Sequence, residues 1–193
     1  MKAVFGCIIW MLIGSIQAYP GAAPDNACLT MTPQHRGFQF NGTSGALSAN
    51  KVGSTVNVTL SAQDPFKGKI SSIVIRWRLC REDTVPPSSG KNWPFSGFII
   101  QAQDENDKII GTFKSDSWRN YQLMQCNGIE GNSITHVNPN AKTSVNTIWQ
   151  IPDGFNQDAV VFKATIVYEY SSGQKIRNRL SLSSKSGGDN KKT

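Results

Sequence analysis

The cysteines are the first residues in this chain that could do chemistry. Four occur among 193 residues, and Cys7 lies in an apolar leader. That leaves Cys28, Cys80 and Cys126, an odd number. In an oxidising compartment two of the three are expected to form a disulfide and one to stay unpaired. The spacing of the cysteines does not fix which two pair.

Other reactive side chains form no recognisable catalytic set. The sequence lacks a nucleophile elbow, an HExxH motif and a phosphate-binding glycine loop. His35 and His136 are far apart, whereas a zinc site needs three or four clustered ligands. Acidic residues at 104, 105 and 107 lie in a turn, where they are expected in any case. We therefore predict no enzyme activity, no catalytic residue, no metal and no cofactor.

Residues 1–18 have the pattern of a secretory signal peptide: one positive charge, an apolar run over residues 3–16, and Ala18 at the expected cleavage point. The alternative is a membrane anchor, but the run is shorter than the ~20 residues that a bilayer span needs. No later segment is apolar enough to span. We expect a secreted, extracellular protein without a membrane span.

Positive charge collects near the carboxyl end. The whole chain has a formal net charge of +7, and the chain without the leader, which contains Lys2, has +6. Residues 175–193 carry six cations and one anion, Asp189, and so account for +5 of that charge. Such a segment attracts anionic surfaces, or it only aids solubility. An exported chain without a recognition motif is a poor fit for nucleic acid. The candidate anionic-surface residues are Lys175, Arg177, Arg179, Lys185, Lys191 and Lys192.

Two sequons mark candidate glycosylation sites at Asn41 and Asn57. Asn41 lies in a Gly/Ser-rich loop. Asn57 alternates with Val56 and Val58, so it is expected to face solvent. Unoccupied sequons are the alternative.

Period-two alternation predicts strands along much of the chain. The clearest segment places Val160, Phe162, Ala164, Ile166 and Tyr168 on one face. No window shows a sustained helical period. Short strands between Gly-, Pro-, Asn- and Ser-rich loops predict a sandwich of two sheets. The further predicted strands are 55–60, 72–79, 97–103, 109–113 and 145–151.

Four segments, in this order and spacing, resemble the reeler domain as it occurs in the small secreted insect defence proteins. They begin with Tyr19-Pro20-Gly21 and Cys28, Pro94-Phe95-Ser96-Gly97-Phe98, Gln122-Leu123-Met124-Gln125-Cys126, and Lys142 through Trp149. The resemblance implies an all-β, immunoglobulin-like β-sandwich of reeler type, secretion and a role in innate defence. It also implies that a stabilising disulfide joins Cys28 to Cys126.

One departure from the family is large. Residues 64–68 and 93–97 resemble each other, so the chain over about 69–93 looks inserted between two copies of one motif. It is either an additional hairpin or sequence that other members lack. Cys80 lies within it among arginines, whose charge would stabilise a thiolate and so permit a reactive or intermolecular thiol. The interpretation we favour is a partly covered, unreactive thiol or a different pairing, because spacing does not fix connectivity. The expected organisation is a signal peptide at 1–18, the domain at 19–182 and a flexible basic tail at 183–193.

The resemblance implies a secreted innate-immune protein that binds microbial surface components, such as lipopolysaccharide or other anionic envelope molecules, and the expected export, the bridge and the cationic end are compatible with this role. The alternative is a matrix or adhesion module without an antimicrobial role. A third possibility, a secreted enzyme or the detached domain of a membrane redox protein, is disfavoured because no paired haem or metal ligands are present. The sequence makes no prediction of oligomeric state.

Overall fold

The computed structural model describes residues 21–33, 38–40, 45–62, 94–115, 121–169 and 172–182. The leader, the segment 69–93 with Cys80, the sequon at Asn41 and the tail 183–193 lie outside these residues. The strand predicted at 72–79 also lies outside them.

Within the described residues the chain forms a single short helix and ten strands. Helix α1 is Ala27–Thr30. The strands are β1 Gln39–Phe40, β2 Gly45–Val52, β3 Thr55–Ala62, β4 Gly97–Gln103, β5 Thr112–Phe113, β6 Tyr121–Cys126, β7 Ile129–His136, β8 Ser144–Gln150, β9 Ala159–Glu169 and β10 Ser172–Ser181.

The strands form two sheets. The large sheet has the order β1-β10-β9-β4-β7-β6, and the small sheet has the order β2-β3-β8-β5. Neighbouring strands are antiparallel except for β1, which pairs with β10 in parallel. The predicted all-β sandwich is therefore confirmed.

The core lies between the sheets, where the predicted alternation applies. Along β3 the buried residues are Val56, Val58, Leu60 and Ala62, and Asn57 between the two valines is exposed. Trp149 on β8 is fully buried, with its ring 5.5 Å from that of Phe162. All five apolar positions predicted for β9 are buried.

The segments predicted at 97–103 and 109–113 belong to different sheets. The first is β4 of the large sheet, whereas only Thr112–Phe113 of the second forms a strand, β5, which pairs with β8 of the small sheet. The turn between them is closed by Asp104, whose Oδ1 accepts hydrogen bonds from the Asn106 and Lys108 backbone N–H groups. The chain passes from the large sheet to the small sheet here, because Phe113 pairs with Trp149 of β8.

Candidate functional site

The predicted disulfide is present between Cys28 of α1 and Cys126 at the end of β6. Their Cα atoms are 5.5 Å apart, and 98 residues separate them in sequence. Both cysteines are buried. The bridge fixes α1 against the outer face of the large sheet, the face that points away from the main core.

Around the disulfide lies a second, smaller hydrophobic cluster. Helix α1 and its flanks supply one side, and β4, β6 and the 104–111 turn supply the other. As a result all seven residues of β4 are buried, because both faces of that strand are covered. The cluster comprises Ala27, Cys28, Met31, Ile99, Ile109, Met124 and Cys126.

Polar residues of the outer face dock the backbone of residues 21–33, which we call the N-terminal arm. Gln101 is fully buried and donates a hydrogen bond from Nε2 to the Cys28 carbonyl at 2.9 Å. Thr165 Oγ1 donates to the Met31 carbonyl at 2.6 Å. Thr135 Oγ1 accepts a hydrogen bond from the Ala23 N–H group at 3.1 Å. Alternation alone predicted an outward position for Thr165 but not that the arm would bury it.

The backbone around Cys126 is held by Asn132. Its Nδ2 donates to the Cys126 carbonyl at 2.7 Å, and its Oδ1 accepts from the Cys126 N–H group at 3.0 Å. The β6–β7 register shifts between Met124 and Cys126, so the Asn132 side chain supports the backbone at an irregularity of the strand pair. Asn132 thereby positions the cysteine for its bridge.

Strand β10 places Lys175, Arg177 and Arg179 on the outer face of the large sheet. All three are exposed, and they alternate with half-buried residues that face the other way. Directly opposite Arg177 on β9 is Lys163, a cation of this face that the sequence prediction omitted. Among the described residues the outer face thus carries four neighbouring cations, which we call the cationic face.

Two acidic residues of the 104–108 turn partly neutralise the cationic face. Arg179 forms an ion pair with Glu105, with Nε 3.2 Å from Oε1. Lys163 Nζ lies 2.8 Å from Asp107 Oδ1. The positive φ of 65° at Asp107 turns the chain so that its carboxylate reaches β9. Four cations and two carboxylates leave a net positive charge on the face.

Lys175 is held at the other end of the face. Its Nζ donates to the Thr30 carbonyl and to Thr32 Oγ1, both at 2.9 Å, and lies 4.9 Å from the centre of the Phe40 ring. Among the described residues Arg177 makes no hydrogen bond or ion pair. Arg177 is therefore the cation of this face best placed to meet an external anion.

The ion pair lowers the pKa of Asp107 below its ordinary value of 3.8, first through the hydrogen bond from Lys163 and then through its charge. A carboxyl pKa that is lower in the folded state stabilises the fold above the ordinary value. This contribution is lost as the pH falls through the lowered pKa.

We expect an NMR titration to show an Asp107 pKa below its ordinary value of 3.8 and to show this pKa rise in the Lys163→Met variant. A matched Lys114→Met change, at an exposed lysine away from the cationic face, should leave that pKa unchanged. An Asp107 pKa equal in all three proteins would contradict the pairing.

The remaining predicted residues are distributed differently. Asn57 lies on the outer face of the small sheet, on the opposite side of the sandwich from the cationic face. His136 is buried, with Nδ1 3.2 Å from Thr135 Oγ1. The candidates outside the described residues are Asn41, Cys80, Lys185, Lys191 and Lys192.

Neither a metal site nor a membrane span is found in the part of the chain that the structure describes. No three His, Cys, Asp or Glu side chains there are grouped to hold a metal ion. No helix in the same residues is long and apolar enough to cross a bilayer.

A family model described as "Reeler domain" matches residues 84–172. The chain belongs to the reeler-domain family, as the resemblance of its motifs predicted. Within that family it is similar to "Putative defense protein 2" of Antheraea mylitta, with 30% identity over 83% of this chain and 88% of that protein.

A second kind of relative is much longer. "Putative ferric-chelate reductase 1 homolog" of Drosophila melanogaster is 32% identical over 89% of this chain, yet the match covers 24% of that protein. The chain thus spans about a quarter of that relative. Among solved structures, the Reelin-N domain of F-spondin matches with a TM-score of 0.50 and 22% identity, over 77% of this chain and 94% of that domain. This supports the fold alone.

Proposed function

We propose that the protein is an extracellular defence protein that binds anionic components of microbial surfaces through the cationic face. The defence role is supported by similarity to the Antheraea mylitta protein over 88% of its length. The surface role rests on one observation, that β10 exposes three cations on a single face. Secretion is supported by the Cys28–Cys126 disulfide, which is typical of oxidising compartments.

Geometry favours phosphate-rich ligands on this face. Arg177 and Lys163 are cross-strand partners, so their Cβ atoms are about 5 Å apart and both side chains point outward. A guanidinium group can bind phosphate oxygens through two parallel hydrogen bonds, and the neighbouring ammonium adds charge. Phosphate groups of lipopolysaccharide or other envelope polymers have the required charge and lie outside the cell.

Point variants are the appropriate test, because deleting residues from 175 onward would remove most of β10. We expect Arg177→Gln to weaken binding to purified lipopolysaccharide and to Gram-negative cells about fivefold at low salt, since one cation near an anionic surface contributes about 1 kcal/mol. The difference from the parent protein should shrink at high salt. Lys114→Gln, the same charge change at an exposed position off the cationic face, is the control.

The acidic turn allows the opposite change to be measured in the same assay. Glu105→Gln removes the partner of Arg179, so binding should become tighter than in the parent protein. Equal binding by the parent, Arg177→Gln and Glu105→Gln proteins at low salt would refute a role for this face.

The matrix or adhesion module remains the second candidate function. It predicts binding to host extracellular components with no preference for microbial cells. Binding of host matrix in preference to bacteria, unchanged by Arg177→Gln, would favour it over the defence role.

A further inference from the structure

The outer face of the small sheet differs sharply in chemistry from the cationic face. In β2, β3 and β8, every position that points away from the core carries an uncharged residue. Most are hydroxyl or amide side chains. The residues nearest the centre are Ser48, Asn50, Asn57, Thr59, Asn146 and Ile148.

Asn57 occupies the middle of this face. It is exposed on the central strand β3, with Asn50 of β2 on one side and Ile148 of β8 on the other. Strand alternation places Thr59 on the same face, where its Oγ1 donates a hydrogen bond to Asn146 Oδ1 at 2.8 Å. Asn57-Val58-Thr59 is also an N-glycosylation sequon.

We propose that Asn57 carries an N-linked glycan that lies over the uncharged outer face of the small sheet. A bond forms between the Asn57 side-chain nitrogen, which loses a proton, and the first sugar of a lipid-linked oligosaccharide as the chain enters the secretory pathway. The bond from that sugar to the lipid pyrophosphate breaks, and the lipid pyrophosphate leaves. The side chain is exposed and points away from the core, so the folded domain has room for the sugar. Hydroxyl and amide neighbours can donate to and accept from sugar hydroxyls, and the outward positions of β2, β3 and β8 carry no competing charge. The exposed Lys114 follows β5, on the side of β8 away from Asn57.

Position explains why the glycan would lie across the face and not stand away from it. Asn57 has uncharged side chains on both neighbouring strands, with Cβ atoms about 5 Å away across each pair. Ile148, 39% exposed beside Asn57, offers apolar surface to the carbon-bound hydrogens of a sugar ring. The cationic face on the opposite side of the sandwich stays uncovered. Glycan attachment and the proposed binding function are therefore independent.

The test is secretion of the full-length chain from insect cells, followed by peptide mass spectrometry with and without peptide N-glycosidase F. We expect a glycan on the peptide that contains Asn57 and its loss in Asn57→Gln and Thr59→Ala. Thr59→Ser keeps the sequon and should keep the glycan. Asn50→Gln, the cross-strand neighbour without a sequon, should change nothing. An unmodified Asn57 in secreted protein, or a chain retained inside the cell without sugar, would overturn the proposal.

The placement of the glycan needs a second measurement. Trimming the glycan to its first sugar should shift the amide resonances of Asn50, Asn146 and Ile148 and leave those of Lys163 and Arg177 unchanged. Resonances that shift on neither face would show that the glycan does not lie on the sheet. Binding to lipopolysaccharide should be equal for the parent and Asn57→Gln proteins, whichever way the test of Arg177 turns out.

Discussion

Trp149→Ala is expected to lower the free energy of unfolding by about 3–5 kcal/mol, the usual cost of removing a buried tryptophan. The indole is fully buried and packs edge-to-face against Phe162 and Phe155, with ring centres 5.5 and 6.5 Å away. Its Nε1 donates a hydrogen bond to the Ile110 carbonyl at 3.1 Å. Alanine would leave a cavity between the sheets and a carbonyl without its partner.

Chemical denaturation followed by circular dichroism measures the effect. Trp149→Phe should fall between the parent and Trp149→Ala, because it keeps the ring but loses the hydrogen bond. Ile148→Ala is the matched control: it is the adjacent residue on β8, and its side chain is 39% exposed, so it should cost far less. A Trp149→Ala protein within about 1 kcal/mol of the parent would contradict this account of the core.

Gly111 explains why the indole fits. Its φ is 64°, and a Cβ atom built there would lie 2.4 Å from Cζ2 of Trp149. The chain thus passes directly over the indole as it leaves the 104–108 turn. Only glycine combines this backbone conformation with this closeness.

The second large effect concerns the disulfide. The double variant Cys28→Ser, Cys126→Ser should lose about 2–5 kcal/mol of stability, because the bridge closes a long loop of the unfolded chain. The loss of stability should be larger in the N-terminal arm than in the core strands. Residues 21–33 should become accessible to hydrogen exchange at lower denaturant than β8 and β9. Without the bridge, their attachment is through the small hydrophobic cluster and side-chain hydrogen bonds, including those of Gln101, Thr135 and Thr165.

Wild-type protein treated with a reductant is the natural comparison, since it has the same loop opened without a change of sequence. It should match the double variant in both stability and exchange. Unchanged stability after loss of the bridge, or uniform exchange over the arm and the core strands, would count against a disulfide-anchored arm.

Sequence reasoning recovered the elements whose side chains alternate most cleanly. In β3, β8 and β9 one face enters the core, so apolar residues recur at every second position and identify both the strand and its inward side. It could not show that β4 and the segment after it enter different sheets, because pairing partners leave no trace in local periodicity. Strand β4 is buried on both faces, so its sequence does not alternate cleanly either.

The candidate site was only partly visible in sequence for a similar reason. The alternation of Lys175, Arg177 and Arg179 predicted cations on one side of a strand. Lys163 and Glu105 belong to segments that are distant in sequence. Pairing of β9 with β10 brings Lys163 beside Arg177, and the 104–108 turn brings Glu105 to Arg179. Local sequence predicts a solvent-facing position for Gln101, Thr135 and Thr165, because no local pattern indicates that the N-terminal arm covers them.

The separation of the two bridged cysteines has a consequence for biosynthesis. Cys28 is made 98 residues before Cys126, and Cys80 lies between them in the chain. At about 5–20 residues per second, Cys80 is made several seconds before Cys126, so a competing thiol is available to Cys28 before its native partner. Strands β7 and β9, which carry Thr135 and Thr165, are made later still. The correct linkage therefore becomes favoured only after translation has passed β9, and oxidative maturation should depend on thiol exchange.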